Sequence, residues 1–273
     1  MPSSPESNSE RRTLAPLIAG AVVVVAVLAV VIFNWLKPVP PLTVDMLKTP
    51  VVAGYAAGED LYPPTSEFAV EEMAKFGYLP ELPVARTSDG VLVAGSDALL
   101  TERMGLKQPI NEVSSEEFLN TQITPPSEKG KPSSPLTVET ALKEYGKSTV
   151  FVFTIAAEND ARDVAELVKK HSQVESVIFR SENPDVLKVA QDENIASLVS
   201  KPQGSPEELK QTGADMVEID ADTDPQPYVK AGLKVWAHGV KDPNHLSELA
   251  TQGFYGAFSG NPFSIQPSSV KTD

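Results

Sequence analysis

Short apolar segments with strand character alternate with helical segments along most of the chain after residue 50. Strands are predicted near residues 51, 81, 152, 178, 198, 217, 235 and 256. Most of them are separated by segments with apolar residues three and four positions apart, which is typical of amphipathic helices. Eight βα units in about 220 residues predict a closed (β/α)₈ TIM-like barrel. A doubly wound open sheet also fits the alternation, although it rarely needs eight units.

The segment from Leu14 to Leu36 contains no charged side chain over 23 residues. A helix of this length spans about 34 Å, at about 1.5 Å per residue, and would cross the hydrocarbon core of a bilayer. Arg11 and Arg12 precede the segment and Lys37 alone follows it, which favours a cytoplasmic N terminus. A cleaved signal peptide is the alternative, but its apolar core is normally shorter and ends in small residues. The sequence therefore predicts one N-terminal transmembrane helix before the barrel.

Five parts follow from this pattern. They are a short disordered cytoplasmic tail (1–13), the transmembrane helix (14–36), a proline-bearing stalk (37–50), an extracytoplasmic barrel (51–265) and a C-terminal tail (266–273). The expected location is a bacterial cell membrane, crossed once. A net charge of −14 argues against nucleic acid as a partner, since like charges repel. The absence of cysteine excludes disulfides, thiol nucleophiles and cysteine–zinc sites.

Four stretches of the predicted barrel resemble the glycerophosphodiester phosphodiesterases, a family of metal-dependent TIM barrels. The stretches are residues 51–67, 79–97, 235–236 and 253–262. The second stretch is the most specific, because five residues stand at the family's spacing. They are Glu81, Thr87, Asp89, Gly90 and Asp97. The resemblance implies a TIM barrel and, in members that keep the catalytic residues, hydrolysis of glycerophosphodiesters with a divalent cation.

The residues that carry acid–base chemistry in the family are replaced in this chain. The family begins with His-Arg-Gly, in which the histidine moves protons and the arginine holds phosphate. Gly54 and Tyr55 stand at the first two of these positions. The family's second catalytic histidine, in a His-Asp pair, is replaced by Ser96. The chemistry needs two imidazoles near neutral pKa, and neither is present at its expected position.

The metal-binding residues of the family are replaced as well. Pro64 stands where the family has the glutamate of Pro-Glu-Asn-Thr, and Pro83 stands where it has the aspartate of Glu-x-Asp. The family's Glu-x-Lys has no counterpart in residues 150–156. Only Glu81 clearly remains, and one carboxylate does not hold Ca²⁺ or Mg²⁺ against water. No catalytic residue, metal or cofactor is therefore predicted, and the barrel is expected to be catalytically inactive.

Two pairs of residues at predicted strand ends are further candidates for ligand binding. Glu218 and Asp220 are two apart at the end of the sixth strand, so both could face the barrel mouth with Glu81. Solvated strand-end carboxylates are the alternative interpretation. Trp236 and His238 share a face at the end of the seventh strand in the same way. They would form either an aromatic floor with an imidazole above it or a packed tryptophan beside a partly exposed histidine.

Three functions are compatible with these observations. The first is an inactive accessory or scaffold subunit of a membrane or cell-envelope complex, with protein partners and a membrane anchor. The second is a binding module for a glycerophosphodiester, a lipid headgroup or a sugar. The third is a divergent metal-dependent phosphodiesterase with a rearranged set of carboxylates. The candidates for this third role are Glu81, Asp97, Glu218 and Asp220.

Overall fold

The computed structural model describes Val27 and Leu28, residues 40–127 and residues 130–266. Most of the predicted anchor, together with the cytoplasmic tail and nearly all of the C-terminal tail, lies outside the described residues. Among the residues that are described, no helix has both the length and the apolar character that a membrane crossing needs. The chain divides into two units, Met1–Pro40 and Pro41–Asp273, and the second contains the barrel.

Eight parallel strands form a closed barrel in the second unit. They are β1 (Val51–Gly54), β2 (Leu79–Arg86), β4 (Phe151–Thr154), β5 (Val177–Ser181), β6 (Ala196–Ser200), β7 (Met216–Asp220), β8 (Lys234–His238) and β9 (Phe254–Ser259), with β3 (Leu92–Ala94) antiparallel to the end of β2. The sheet closes because β1 pairs in parallel with both β2 and β9. This closure confirms the predicted (β/α)₈ barrel and excludes the open sheet.

Helices connect the strands around the outside of the barrel. They are α1 (Glu67–Phe76), α2 (Asp97–Leu99), α3 (Ser115–Leu119), α4 (Val138–Tyr145), α5 (Glu158–Lys170), α6 (Pro184–Asp192), α7 (Pro206–Gln211), α8 (Gln226–Lys230), α9 (Pro243–Gln252) and α10 (Pro262–Ile265). Asn183, Ser205 and Asp242 cap α6, α7 and α9, since each side chain accepts a hydrogen bond from the first turn. Each of these three helices begins with proline, which lacks the N–H that would otherwise be unpaired there.

Side chains alternate between two apolar cores along the strands. On β4, Val152 points into the barrel, whereas Phe151 and Phe153 pack between the barrel and the helices. The inner core consists of Val44, Val51, Ala53, Leu79, Val150, Val152, Ile178, Leu198, Met216, Trp236 and Phe258. This filled interior leaves the carboxyl end of the barrel as the place where polar side chains gather.

The barrel domain begins earlier than predicted. Residues 41–47 belong to the predicted stalk but pack against the amino end of the barrel. Val44 is 7% exposed and joins the inner core, and its carbonyl oxygen accepts a hydrogen bond from the Tyr255 hydroxyl at 3.4 Å. The Leu42 amide donates to the Lys147 carbonyl oxygen at 3.4 Å. An open barrel end would expose apolar side chains to water, and this segment covers them.

Candidate functional site

Polar side chains converge at the carboxyl end of the barrel, here called the mouth. Alternate residues of a strand share a face. Because Met216 and Trp236 lie in the inner core, Glu218 and His238, two residues further along β7 and β8, point into the mouth. Hydrogen bonds connect five residues there into one cluster, here called the mouth network. It consists of Tyr55, Glu81, Thr154, Arg180 and Glu218.

The guanidinium of Arg180 is the centre of the mouth network. Its Nε donates to Glu218 Oε2 at 2.7 Å, and its Nη1 donates to Thr154 Oγ1 at 3.1 Å. Burial alone would lower the pKa of Arg180, but the charges of Glu218 and Glu81 outweigh burial and hold the pKa above its ordinary value. The Arg180 side chain is 16% exposed and the Glu218 side chain 4%. Arg180 therefore provides a fixed, largely buried positive charge between carboxylates.

Glu81 is satisfied entirely by groups of the protein. It is 3% exposed, and its Oε2 accepts a hydrogen bond from the Ala56 amide at 2.8 Å. Its Oε1 accepts from the Thr154 hydroxyl, whose oxygen in turn accepts from Arg180. Burial raises the pKa of Glu81 above its usual range, although Arg180 and the two hydrogen bonds lower it in part. Both carboxylate oxygens of the family's one remaining metal ligand are thus already engaged.

Tyr55 covers the mouth network from the turn after β1. Its ring stacks on Phe258 with 5.2 Å between the ring centroids, and its hydroxyl donates to Glu218 Oε1 at 2.5 Å. Burial, followed by the charge of Glu218, raises the pKa of Tyr55 far above its ordinary value, so the hydroxyl remains protonated and donates. The next residue, Ala56, has a φ of 45°, which is uncommon for a residue with a Cβ. This conformation directs the Ala56 amide at Glu81.

His238 and Asp220 form the exposed rim of the mouth. The His238 side chain is 44% exposed and the Asp220 side chain 56%. His238 Nδ1 lies 3.6 Å from Glu218 Oε1, and His238 Nε2 lies 3.6 Å from Asp220 Oδ2. Asp220 Oδ1 accepts a hydrogen bond from the Asp222 amide at 2.8 Å. The predicted pairs at the ends of β7 and β8 are therefore adjacent in space, but Glu218 is buried whereas Asp220 is solvated.

The structure places two other predicted candidates away from the mouth network. Trp236 is fully buried in the inner core, where its ring packs against Phe258 at 5.0 Å and its Nε1 donates to Met216 Sδ at 3.2 Å. It is a packed side chain and not the floor of an open pocket. Asp97 is exposed at the start of α2, and its Oδ1 accepts from the Ile110 amide at 2.9 Å. Asp97 thus holds the segment after β3 in place.

The position of the family's first catalytic histidine has no space for a side chain. A Cβ built on Gly54 would lie 2.9 Å from Met73 Sδ and 3.2 Å from Pro262 Cγ. Contacts this short force the neighbours to move, so an imidazole does not fit the present packing. The other replaced positions are Pro64 before α1, Pro83 in β2 and Ser96 between β3 and α2.

The groups in the mouth do not fit the divalent cation that the resemblance implies. Glu81 and Glu218 are the buried carboxylates there, and each of their oxygens accepts a hydrogen bond from within the mouth network or from Ala56. The guanidinium of Arg180 lies 2.7 Å from Glu218, so it would repel a metal ion bound to the same carboxylate. Over residues 40–127 and 130–266, no three histidine, aspartate or glutamate side chains are grouped so that they could hold a metal ion.

Sequence patterns single out neither Arg180 nor Thr154, although both belong to the mouth network. A signal for Arg180 does exist. It follows directly after the apolar run 177–179, at the carboxyl end of a barrel strand, where TIM barrels place functional residues. Thr154 gives no comparable signal, because a threonine at the end of a strand is common and serves packing as readily as hydrogen bonding.

No family model matches the chain, and no curated protein matches it. Solved structures do. A glycerophosphodiester phosphodiesterase from Agrobacterium tumefaciens has a TM-score of 0.69 and 18% identity, covering 80% of this chain and 99% of that one. An Oleispira antarctica phosphodiesterase, solved with its product sn-glycerol-3-phosphate, has a TM-score of 0.66 and 21% identity, covering 80% and 95%. A glycerophosphodiester phosphodiesterase from Parabacteroides distasonis has a TM-score of 0.64 and 20% identity, covering 79% of this chain and 94% of that one.

Because one fold supports many functions, comparisons at these identities establish the architecture of the chain and not its activity. They agree with the closed parallel barrel described above and with the resemblance of the sequence. The chain therefore has the fold of the glycerophosphodiester phosphodiesterases.

Proposed function

We propose that this chain is a catalytically inactive glycerophosphodiesterase-like barrel, anchored in a membrane by residues 14–36, that serves as an accessory or scaffold subunit of a cell-envelope complex. The barrel would lie outside the cytoplasm. Its contribution would be a folded surface for other proteins rather than a reaction.

The mouth network is the observation that carries this proposal. Hydrolysis in the mouth would require a general acid or base and carboxylates free to act on a substrate. Glu81 and Glu218 are buried and fully engaged in hydrogen bonds, with Arg180 fixed between them. Tyr55 closes the mouth network where the family's phosphate-holding arginine is expected. The five residues of the mouth network stabilise one another through hydrogen bonds and are arranged as a structural unit.

The first prediction is the absence of hydrolysis. The purified full-length chain in detergent should release no sn-glycerol-3-phosphate from glycerophosphodiesters above the buffer rate, whether Mg²⁺, Ca²⁺ or Mn²⁺ is added. The expected reason is that Glu81 and Glu218, the buried carboxylates of the mouth, are both held in hydrogen bonds and are not free to transfer a proton to the leaving group. Release of sn-glycerol-3-phosphate is measured over a range of pH and metal concentrations.

Hydrolysis that belongs to the mouth would contradict the proposal. Its signature is metal-dependent turnover that Glu81→Gln abolishes and Asp222→Asn leaves unchanged. Glu81 is buried in the mouth network, whereas Asp222 is an exposed carboxylate in the loop after β7. This pair of variants separates turnover in the mouth from a contaminating phosphodiesterase, which neither substitution would affect.

The second prediction concerns partners. Extraction of membranes with a mild detergent should yield the full chain together with at least one other protein in constant ratio, measured by size-exclusion chromatography and mass spectrometry. An accessory subunit is expected to remain bound, because permanent interfaces bury large areas. A chain that always runs as a single species, at several detergent concentrations, would count against the scaffold role.

A further inference from the structure

The described part of the barrel unit begins and ends at the amino end of the barrel, opposite the mouth. Segment 41–47 packs against this end, and the Val44 carbonyl oxygen accepts a hydrogen bond from the Tyr255 hydroxyl at 3.4 Å. At the other terminus, Gln266 Nε2 donates to the Pro50 carbonyl oxygen, just before β1, at 3.1 Å. The chain therefore enters and leaves the described domain on the same side.

The predicted anchor comes close to this end along the chain. It ends at Leu36, and the barrel unit begins at Pro41. Five residue steps span at most about 17 Å when fully extended, at about 3.4 Å per residue. If residues 14–36 cross a membrane, this short connection holds the amino end of the barrel beside the leaflet from which the chain emerges.

The amino end has a charge balance opposite to that of the whole chain. Because the strands begin and the connecting helices end there, the residues at this end follow from the topology. The helix ends and the connections that lead into the strands contain nine lysines and six carboxylates, in residues 41–50, 74–78, 143–150, 168–176, 190–195, 209–215 and 228–234. In the chain as a whole, 23 basic residues stand against 37 acidic ones. The amino end thus has an excess of positive charge in an acidic protein.

Three lysines of this end are exposed and have no ion-pair partner among the residues that the structure describes. They are Lys48 before β1, Lys147 before β4 and Lys230 at the end of α8. Lys234, by contrast, lies 3.9 Å from Asp45. The helix dipole favours lysine at a helix end, which accounts for Lys230 but not for the other two. An exposed ammonium group that is not neutralised within the protein can bind an anion outside it.

We propose that the amino end of the barrel docks on anionic phospholipid headgroups of the membrane that holds the anchor, through Lys48, Lys147 and Lys230. The proposal rests on the anchor of the proposed function and adds an orientation to it. Lysines near an anionic bilayer surface are attracted to it, and the short connection keeps their effective concentration at that surface high. A weak attraction is therefore sufficient. The mouth end of a docked barrel remains free to meet other proteins.

The test uses the full-length chain in lipid vesicles, with one fluorescent label at a time. The chain has no cysteine, so a single introduced cysteine is labelled without background. Gln211→Cys places the label at the amino end, and Asn244→Cys places it at the mouth end, both at exposed helix positions. The vesicles contain phosphatidylcholine alone, or phosphatidylcholine in which one lipid in three is replaced by phosphatidylglycerol. Energy transfer from the label to acceptors on lipid headgroups is measured.

Transfer from the amino-end label should be stronger in the phosphatidylglycerol vesicles, whereas transfer from the mouth-end label should not increase. Salt at about 1 M should remove the difference, because it screens charges beyond about 3 Å. Each lysine near the surface changes the binding constant about fivefold, so the triple variant Lys48→Glu, Lys147→Glu and Lys230→Glu should lower the ratio of docked to free barrels about 100-fold. Lys241→Glu, at the mouth end, is the control and should leave the ratio unchanged.

Three results would overturn the proposal. They are equal transfer from the amino-end label in both kinds of vesicle, a phosphatidylglycerol effect that survives the triple variant, and a larger effect on the mouth-end label. If the triple variant does not fold, the dependence on lipid and salt measured without it decides the question. Flotation separates this inference from the proposed function. A chain that floats with neither kind of vesicle would end the anchor and the docking together, whereas a chain that inserts into both without any lipid dependence would end only the docking.

Discussion

Replacing Arg180 with methionine should lower the free energy of unfolding by about 3–5 kcal/mol, because removal of one partner leaves buried charge uncompensated. Methionine retains much of the apolar length of arginine but none of its hydrogen-bond donors. Glu218 loses its 2.7 Å bond to Nε, and Thr154 loses its 3.1 Å bond to Nη1. Urea unfolding of the full chain near neutral pH, followed by circular dichroism, measures the loss.

Arg86→Met is the matched control. Arg86 bonds Asp160 at 2.7 Å and Asp163 at 2.6 Å, but its side chain is 32% exposed. Exposed ion pairs are screened by water, so this substitution should cost only about 0–1 kcal/mol. Equal losses in the two variants would show that the ion pair of the mouth is no more important to stability than one on the surface.

The loss in Arg180→Met should also depend on pH. Burial holds the pKa of Glu81 above its usual range, and Arg180 opposes this rise. A carboxyl whose pKa is higher in the folded state binds its proton more tightly there, so its contribution to stability is full below the unfolded pKa and is lost as pH rises through the folded pKa. Without Arg180 the folded pKa of Glu81 rises further. The gap in stability between the variant and the unmodified chain should therefore be larger at about pH 7 than at about pH 5.

Replacing Trp236 with alanine should lower the free energy of unfolding by about 3–5 kcal/mol, the usual cost of a large cavity in a core. Trp236 is fully buried, and its ring packs against Phe258 and Tyr255 at 5.0 and 5.6 Å between centroids. The barrel interior is closed by strands on all sides, so it relaxes little around the cavity. Denaturant unfolding of the two chains under identical conditions measures the difference.

Phe68→Ala provides the comparison for Trp236→Ala. Phe68 lies in the first turn of α1, 44% exposed, with its ring 5.5 Å from that of Tyr62. An exposed substitution of this kind should change stability by less than about 1 kcal/mol. A small effect of Trp236→Ala, similar to that of Phe68→Ala, would mean that the tryptophan does not support the barrel. That result would favour the alternative in which Trp236 binds a ligand.

The fold was predictable from the sequence because its main signal is local. The eight predicted strand positions all coincide with barrel strands, since a buried parallel strand appears as a short apolar run between helices. The sequence does not distinguish a closed barrel from an open sheet, because the pairing of β1 with β9 that closes the barrel joins residues about 200 positions apart. The sequence places the start of the domain too late, because the prolines at 38, 40 and 41 favour a stalk, whereas Val44 just after them joins the inner core.

The candidate site was predictable only in part. Glu81, Glu218 and His238 were selected because carboxylates and imidazoles at strand ends are recognisable in a sequence, and the structure brings these three residues together at the mouth. The sequence does not single out Arg180, although it makes the central ion pair. Its partner Glu218 lies on β7, and Thr154 connects it to Glu81 on β2. The residues next to Arg180 in the sequence give no indication of these distant partners. Partner choice across a barrel depends on strand order and register, which are properties of the closed sheet.

The packing around Gly54 limits the side chains that this position can accommodate. Restoring a histidine at this position would bring its Cβ within 2.9 Å of the Met73 sulfur and 3.2 Å of the Pro262 ring. The buried Met73 side chain would have to move, and the Pro262 ring would have to give by a few tenths of an ångström. Both movements would cost stability. A Gly54→His variant is therefore expected to be less stable than the unmodified chain, whatever its effect on turnover.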